Sequence, residues 1–346
     1  MNTNLILEYL DMWNEHELFY KKYTEKKKDA TAFSAYLDTL DPDYIRRNFL
    51  IVPELPSSTL QTDIPMQEDW YFRLKEEQSV SITKHNRCTP PFIHTHAFFE
   101  VIYVLSGTCQ HNIFDSTHLM QKGDLCLISP SVTHSIYVDE DSLVINILIR
   151  RSNIEDIFFH VLRDQNLISD FLVNSIYLKE YATYLLFHTY EDEEVKKQIL
   201  EMYMEQFEED VFSDRIISSM LIIFFTKLVR KYKRTAEIPD FVPTDTSAAH
   251  LLHCIVNEHN TITLSELASR LNYSVPYCSH YIKELTGHSF LQLLKRVRFQ
   301  KAETYLKNTS YSIQKISELL GYENPENFIR AFKKEYGLSP TQYRKK

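Results

Sequence analysis

Ile316-Ser-Glu-Leu-Leu-Gly-Tyr322 ends one short amphipathic helix in a tight turn, and Asn324-Pro325 begins the next helix. Apolar side chains at Ile313, Ile316 and Leu320 recur at helical spacing before the turn. Asn followed by Pro is a typical helix start, because the Asn side chain caps a backbone amide and Pro lacks one. Two short helices joined in this way are the pattern of a helix-turn-helix unit.

The same pattern occurs once earlier in the chain. An apolar run from Leu264 to Leu271 is followed by the turn pair Asn272-Tyr273 and by the helix start Ser274-Val-Pro276. Both second helices run into a basic-acidic stretch and a glycine. Two units in the same register predict a tandem helix-turn-helix module, whereas one unit alone would suit a plain helical bundle equally well.

Charge is distributed unevenly along the chain. Residues 245–346 contain 14 Lys and Arg against 9 Asp and Glu, a net charge of +5. The residues before 245 contain 24 basic and 38 acidic side chains, a net charge of −14. A basic segment joined to an acidic one is typical of a nucleic-acid-binding module attached to a partner domain. The narrow major groove of A-form RNA disfavours RNA as the ligand of such helices.

The composition excludes several classes of protein. Only 5 glycines occur, too few for a phosphate-binding loop or a Gly-rich dinucleotide fold. The 5 cysteines are scattered and never spaced as CxxC, which is typical of reduced thiols. Glu8 and Asp11 lie close behind the first apolar run and no basic segment precedes it, so no signal peptide is predicted. The longest apolar run, Met220–Phe225, is too short for a membrane span, and we expect a cytoplasmic protein without membrane association.

From about Ala248 onward the chain resembles the DNA-binding region of the AraC/XylS-type transcriptional regulators. The resemblance is strongest in the strings Ile316–Tyr322, Asn327–Gly337, Leu338–Arg344 and Arg298-x-x-x-Ala302-x-x-x-Leu306. It implies two helix-turn-helix subdomains tied by one long helix. Such subdomains read neighbouring major-groove segments on one face of double-stranded DNA.

Helical spacing divides each second helix into a core face and an outer face. The predicted core residues are Cys278, Ile282 and Leu285 in the first unit and Phe328 and Phe332 in the second. The outer-face candidates for DNA contact are Tyr277, Ser279, His280, Lys283, Glu326, Asn327, Ile329, Arg330 and Lys333.

Arg330 is the strongest candidate for reading a base, because a guanidinium can bond O6 and N7 of guanine together. His280 stands where the family often has Arg, so readout by the first unit departs from the family pattern. The predicted phosphate contacts are Lys283, Lys333, Lys334 and Lys345. A solvated helix face would account for any single one of these lysines equally well.

From about Val80 to Arg150 the sequence changes to short β-branched and aromatic runs separated by turns such as Gly123-Asp124. The predicted strands are Val80–Lys84, Phe98–Leu105, Cys109–Phe114, Leu125–Ile128 and Leu143–Ile149. Evenly spaced short strands predict an antiparallel sandwich or barrel.

His94, His96 and Glu100 share one parity on a strand, and His134 lies on a later strand where it could complete the set. This spacing resembles the cupin motif, a double-sheet β-barrel, although the segment around His134 lacks the usual glycine. In metal-binding cupins the matching residues hold a divalent transition metal. The resemblance therefore implies His94, His96, Glu100 and His134 as ligands of such an ion.

Two other interpretations of the same four residues stay open. They could line an effector pocket and hydrogen bond hydroxyl groups, or they could be structural histidines bonded to the backbone. AraC-type regulators commonly carry a cupin-like sensor, typically for sugars. The resemblance thus implies a carbohydrate effector bound by His94, His96, Glu100 and His134, with no cofactor required.

These segments predict an α+β protein: a cupin-like β-barrel (double-sheet jelly roll), a helical linker and an all-α double helix-turn-helix domain. The predicted parts are residues 1–79 of unassigned role, the barrel over 80–150, a helical linker and dimerisation segment over 151–244, and the DNA-binding domain over 245–346. We expect a homodimeric regulator controlled by a small-molecule effector and no catalytic site. Helix Ser213–Lys233 is the expected dimer contact, although burial within its own chain would explain it too. The alternative is a metal-dependent cupin oxygenase or isomerase with a helical appendage.

Overall fold

The structure, a computed structural model, describes residues 3–55, 65–72, 78–154, 157, 166–208, 210, 212–239 and 246–345. The chain divides into two compact units. The first combines Met1–Ile154 with Ala182–Val242, and the second combines Glu155–Tyr181 with Pro243–Lys346. The chain therefore leaves the first unit, returns to it, and then leaves it again.

The first unit contains two antiparallel sheets. Its strands are β1 (Val80–Lys84), β2 (Phe99–Ser106), β3 (Thr108–Ile113), β4 (Ser116–Gln121), β5 (Asp124–Ile128), β6 (His134–Val138), β7 (Leu143–Ile149) and β8 (Tyr184–His188). One sheet has the order β1-β7-β2-β5-β8 and the other has the order β4-β3-β6. Apolar side chains from both sheets pack in one buried cluster that includes Ile102, Cys126 and Ile136. The predicted cupin-like, double-sheet β-barrel is confirmed.

Seven described α-helices lie before β1 or between β7 and the linker at residue 239. They are α1 (Thr3–Asp11), α2 (Glu15–Lys27), α3 (Ala30–Leu37), α4 (Pro42–Arg47), α5 (Leu167–Tyr177), α6 (Glu193–Glu205) and α7 (Ser213–Tyr232). Tyr20, Tyr23, Tyr36 and Ile45 of the N-terminal helices pack in a small core together with Cys88, which follows β1. Within the described residues, no helix is long and apolar enough to cross a membrane.

The predicted helical linker over residues 151–244 differs from the structure. Tyr184–His188 is a strand that pairs with β5 and completes the five-stranded sheet, so the barrel extends beyond residue 150. Four of its five side chains are buried, and such a continuous apolar run cannot be told from a helix by periodicity. Helix α5 belongs to the second unit. The predicted boundary at residue 244 lies outside the described residues.

The second unit is helical throughout its described part. Besides α5 it contains α8 (Thr246–Asn257), α9 (Leu264–Arg270), α10 (Val275–Thr286), α11 (Phe290–Asn308), α12 (Ile313–Leu319), α13 (Pro325–Tyr336) and α14 (Pro340–Arg344). Helix α5 is held on α8 by His253, whose Nε2 lies 2.7 Å from Oδ1 of Asp170. The long helix α11 joins the α9–α10 pair to the α12–α13 pair, which confirms the predicted double helix-turn-helix domain.

Candidate DNA-reading helices and effector pocket

Helices α10 and α13 begin and end in the same way. Oγ of Ser274 accepts a hydrogen bond from the Tyr277 amide at 3.3 Å, and Oδ1 of Asn324 accepts one from the Glu326 amide at 2.8 Å. A proline stands in the first turn of each helix, and a glycine with φ of +74° or +72° ends it. These caps set both helices at matching lengths with their N-terminal turns exposed.

Each of the two helices buries a pair of side chains and exposes the opposite face. Cys278 and Ile282 in α10 and Phe328 and Phe332 in α13 are fully buried, as predicted. The exposed candidates are Tyr277, His280, Lys283, Glu326, Asn327, Arg330 and Lys333, together with Lys334 and Lys345. Ser279, Leu285 and Ile329 are only partly buried. Contact of these side chains with DNA stays a prediction.

Arg330 is oriented by its neighbour on the exposed face of α13. Its Nη2 donates to Oδ1 of Asn327 at 2.7 Å. The pair presents a guanidinium and an amide side by side, the two groups that bond guanine and adenine in the major groove. On α10, Nε2 of His280 lies 3.9 Å from Oε2 of Glu284.

The turn between the two helices of each unit requires a left-handed backbone. Asn272 has φ +56° and Gly321 has φ +77° at corresponding positions. A Cβ on Gly321 would come within 2.1 Å of the Asn260 carbonyl oxygen, so only glycine fits there. Asn is one of the few other residues that adopt this conformation readily.

The second candidate site lies inside the barrel. His96 precedes β2, Glu100 is in β2 and His134 is in β6; all three are buried, and their ligand atoms lie within 4.8 Å of one another. Oε2 of Glu100 is 3.4 Å from Nε2 of His96 and 3.8 Å from Nε2 of His134. The structure thus brings together three of the four residues predicted from the sequence.

Hydrogen bonds on the far side of each ring orient these groups. Nδ1 of His96 lies 2.7 Å from the Phe98 carbonyl oxygen, which can only accept, so Nδ1 carries a proton and Nε2 is an acceptor when the ring has no second proton. Nδ1 of His134 lies 3.0 Å from Nε2 of His111, and when His134 donates this bond its own Nε2 is also an acceptor. Both Nε2 atoms are buried without a hydrogen-bond partner. Three acceptors then face one another.

Burial keeps the surrounding rings neutral. It lowers the pKa of His94 to about 4 and that of His111 to about 3, and it holds the pKa of His134 well below its usual range. Burial alone would raise the pKa of Glu100, but contact with His96 and the other nearby imidazoles outweighs it, and the pKa lies below its ordinary value. A carboxylate therefore faces the neutral imidazole of His134.

His94 lies beside the cluster of His96, Glu100 and His134 and not within it. Its Nδ1 is 3.1 Å from the Phe92 carbonyl oxygen, and its ring centroid is 4.2 Å from that of His134. The expectation that His94 shares one strand face with His96 and Glu100 fails, because the regular strand begins only at Phe99.

Sequence reasoning missed two polar groups inside the barrel, His111 and Asn146. Nδ2 of Asn146 is 3.2 Å from Nδ1 of His85. Each interrupts an otherwise apolar set of inward-facing strand positions, which is the signal that could have found them.

The donor set fits a divalent transition metal. Two imidazole nitrogens and one carboxylate form a ligand set that suits such ions, and the neutral ring of His134 is in the form that binds metal. His96, Glu100 and His134 would hold the ion, with His111 behind His134. A bound ion would supply a positive charge that attracts oxygen atoms of a ligand.

A chain with a double helix-turn-helix unit and a barrel with a polar interior is a DNA-binding regulator with a sensor domain. Residues 83–223 match the family described as "AraC-like ligand binding domain", and residues 267–346 match a family described as "Helix-turn-helix domain". The chain belongs to the AraC family of transcriptional regulators.

Similar proteins include several named regulators. RhaR of Mannheimia succiniciproducens, a transcriptional activator, is 23% identical over 82% of this chain and 98% of its own length. The raffinose operon regulatory protein RafR of Pediococcus pentosaceus is 27% identical over 39% of this chain and 49% of its own. YtdP of Bacillus subtilis, an uncharacterized regulator, is 29% identical over 51% of this chain, which spans only 22% of YtdP.

A solved structure, the C-terminal domain of the response regulator AraT from Geobacillus stearothermophilus, shows 37% identity over 29% of this chain and 84% of its own, with a TM-score of 0.28.

The named relatives are regulators of transcription. The predicted class, a DNA-binding regulator and not an enzyme, is therefore confirmed.

Proposed function

We propose that this regulator responds to a carbohydrate bound inside the barrel by His96, Glu100 and His134, with His94 beside them. Binding of the sugar changes the affinity of the double helix-turn-helix unit for paired DNA sites. The protein acts in the cytoplasm as a homodimer.

The convergence of three buried polar atoms carries this proposal. Oε2 of Glu100 and the Nε2 atoms of His96 and His134 lie together, and the two Nε2 atoms are buried without a hydrogen-bond partner. A sugar offers several hydroxyl donors at close spacing. A carboxylate or phosphate would instead place negative charge against Glu100, which is unfavourable in a buried site. The pocket therefore favours an effector that is rich in hydroxyl groups and carries no negative charge.

The name of one relative supports the same choice of effector. RafR is the regulatory protein of a raffinose operon. RhaR and RhaS of Mannheimia succiniciproducens are named as activators, which supports activation as the output.

Chain connectivity offers a route from the pocket to the DNA-binding unit. Glu100 pairs with Leu148 of β7 on one side and with Ile128 of β5 on the other. The chain continues from β7 into Glu155–Tyr181, which belongs to the second unit, and returns to pair β8 with β5. A shift of Glu100 on effector binding would move β7, which leads into this excursion, and β5, which pairs with the strand β8 that follows it.

The outer side of α7 supports the homodimer. Phe224 and Leu228 are buried in the first unit, whereas Ile216 and Ile223 are exposed. We expect Ile216→Asp combined with Ile223→Asp to give a monomer in analytical ultracentrifugation. A wild-type chain that is monomeric at micromolar concentration, with and without DNA, would remove this assignment.

The test of the whole proposal is selection of bound duplexes from a random DNA pool, with and without a panel of neutral sugars. We expect one sugar to change the affinity for the selected sites. Glu100→Gln should abolish that response while DNA binding and the thermal unfolding midpoint are retained. His118→Gln is the matched control, because His118 lies on β4, in the other sheet of the same barrel, and bonds Tyr184 and not Glu100. A response that survives Glu100→Gln contradicts the pocket assignment.

The unpartnered Nε2 atoms of His96 and His134 favour a second candidate, a regulator whose pocket binds a divalent transition metal. Equilibrium dialysis against zinc or manganese, followed by metal analysis, tests it. We expect one ion per chain, lost in His134→Ala and kept in His118→Ala. If no ion binds at micromolar metal, this second candidate is contradicted and the cluster is a site for the sugar only.

A further inference from the structure

The two DNA-reading helices present different chemistry at corresponding positions. Their buried residues align, with Cys278 in the place of Phe328, and both end at a capping glycine. With this alignment, Tyr277 on α10 stands where α13 has Asn327, and His280 stands where it has Arg330. The second helix therefore carries the hydrogen-bonding pair described above, and the first carries an aromatic side chain.

Tyr277 belongs to a cluster of three tyrosines at the start of α10. Its ring centroid is 4.8 Å from that of Tyr273 at an angle of 71°, and 6.0 Å from that of Tyr281 at 11°. Half of the Tyr277 side chain is exposed, whereas Tyr273 and Tyr281 are partly buried. Rings on two sides hold the Tyr277 ring in place, so little side-chain entropy is lost when its exposed face meets a ligand.

The rest of the exposed face of α10 is poor in groups that read guanine. The helix contains no arginine, and its formally charged side chains are Lys283 and Glu284. Val275, in the first turn, is exposed as well, so the N-terminal end of the helix is largely apolar. This is the end that helix-turn-helix proteins bring to the base edges.

In the major groove the apolar feature of a base pair is the C5-methyl group of thymine. We propose that the first helix-turn-helix unit reads thymine methyl groups through Tyr277, while the second unit reads hydrogen-bonding edges through Asn327 and Arg330. The half-site bound by the first unit is then defined by thymines, and the half-site bound by the second unit is defined by guanine and adenine. This inference rests on the proposed DNA-binding function and adds the base class that the first helix recognises.

Replacement of thymine by deoxyuridine tests the inference, because it removes the methyl group and leaves base pairing intact. The probe is the duplex selected by the full-length wild-type protein, substituted at one thymine at a time. We expect an affinity loss of about threefold to fivefold for each thymine that touches Tyr277, the effect of removing one buried methyl group. In Tyr277→Ala the same substitutions should have no effect, whereas Tyr277→Phe should keep the full difference.

The controls separate this inference from the proposed function. Arg330→Ala should leave the deoxyuridine effect in the first half-site unchanged. If the wild-type protein selects no sequence at all, the proposed function fails and the inference fails with it. If it selects a site but deoxyuridine has equal effects in wild type and Tyr277→Ala, or the site has no thymine that responds, only the inference is overturned. A difference lost in Tyr277→Phe would assign the readout to the hydroxyl group and overturn it too.

Discussion

Nε of Arg87 donates to Oε1 of Glu17 at 3.0 Å, and both side chains are almost entirely excluded from solvent. Lys84 joins them, with its Nζ 2.7 Å from the other carboxylate oxygen. Lys84 is the last residue of β1 and Arg87 follows three residues later, whereas Glu17 is in α2, so the contact attaches the N-terminal helices to the barrel. The segment whose role the sequence left open is thus part of the first unit.

We expect Glu17→Gln to destabilise the first unit by about 3 kcal/mol, because it removes the buried carboxylate that two cations share and leaves Arg87 with the exposed carboxylate of Asp11 at 3.6 Å. Chemical denaturation followed by tyrosine and tryptophan fluorescence measures this. Glu25→Gln is the control, since Glu25 is exposed on the same helix and should change the unfolding free energy by less than about 0.5 kcal/mol. Equal effects of the two substitutions would mean that the buried contact adds nothing to the free energy of unfolding.

The same carboxylate predicts how stability depends on pH. Burial alone would raise the pKa of Glu17, but the hydrogen bonds from Arg87 and Lys84 outweigh it, and the folded-state pKa lies below the ordinary value of about 4.3. A depressed pKa gives stability that is present above the unfolded-state value and is lost as the pH falls through the folded-state value. The difference in unfolding free energy between wild type and Glu17→Gln should therefore be constant above about pH 5 and shrink below about pH 4.3. A difference that grows on acidification would contradict the assignment.

Two glycines with the same backbone conformation should respond differently to alanine. Both Gly321 and Gly337 have positive φ, but a Cβ would meet the Asn260 carbonyl only at Gly321 and nothing within 4 Å at Gly337. We expect Gly337→Ala to destabilise by about 1 kcal/mol from backbone strain alone. Gly321→Ala adds an overpacked backbone contact and should reach about 3 kcal/mol. Hydrogen exchange of the α12 and α13 amides measures both, and similar protection in the two variants would count against the clash.

Much of the fold could be predicted because its signals are local. The caps, the turn residues Asn272 and Gly321 and the apolar spacing of the helices all lie within short windows of sequence. Strand β8 was missed because its residues are buried on both faces and show no alternation. It is separated in sequence from its partner β5 by the excursion into the second unit.

The candidate sites show the same division between local and long-range information. The outer faces of α10 and α13 follow from helical spacing, so all of the predicted contacts except Ser279 and Ile329 are exposed. The cluster in the barrel depends on strand register instead. His111 comes to His134 only because β3 pairs with β6, with Ile113 opposite His134. No short stretch of sequence specifies that pairing, and the same holds for Glu17 and Arg87.

Arg330→Ala should weaken binding to the selected DNA site by about 1–3 kcal/mol, because the guanidinium can donate hydrogen bonds to both O6 and N7 of guanine. Binding to random DNA should change much less. Lys333→Ala is the matched control one helical turn away on the same exposed face. It should weaken binding to both kinds of DNA alike and reduce the slope of log affinity against log salt by about 1. Fluorescence anisotropy over a salt series measures all of these, and equal losses on specific and random DNA would make Arg330 a phosphate contact.

The last prediction concerns His111, whose Nε2 lies 3.0 Å from Nδ1 of His134. The bond from Nδ1 of His134 to Nε2 of His111 turns Nε2 of His134 toward Glu100. His111→Leu removes this bond but no ligand atom. We expect it to weaken the affinity of the pocket for its ligand about tenfold to a hundredfold. His118→Leu is the control, because His118 lies directly opposite His111 on β4 but bonds Tyr184. Isothermal titration with the effector sugar or with zinc measures the affinity, and circular dichroism checks that both variants fold. Unchanged affinity in a folded His111→Leu variant would show that His134 is oriented by packing alone.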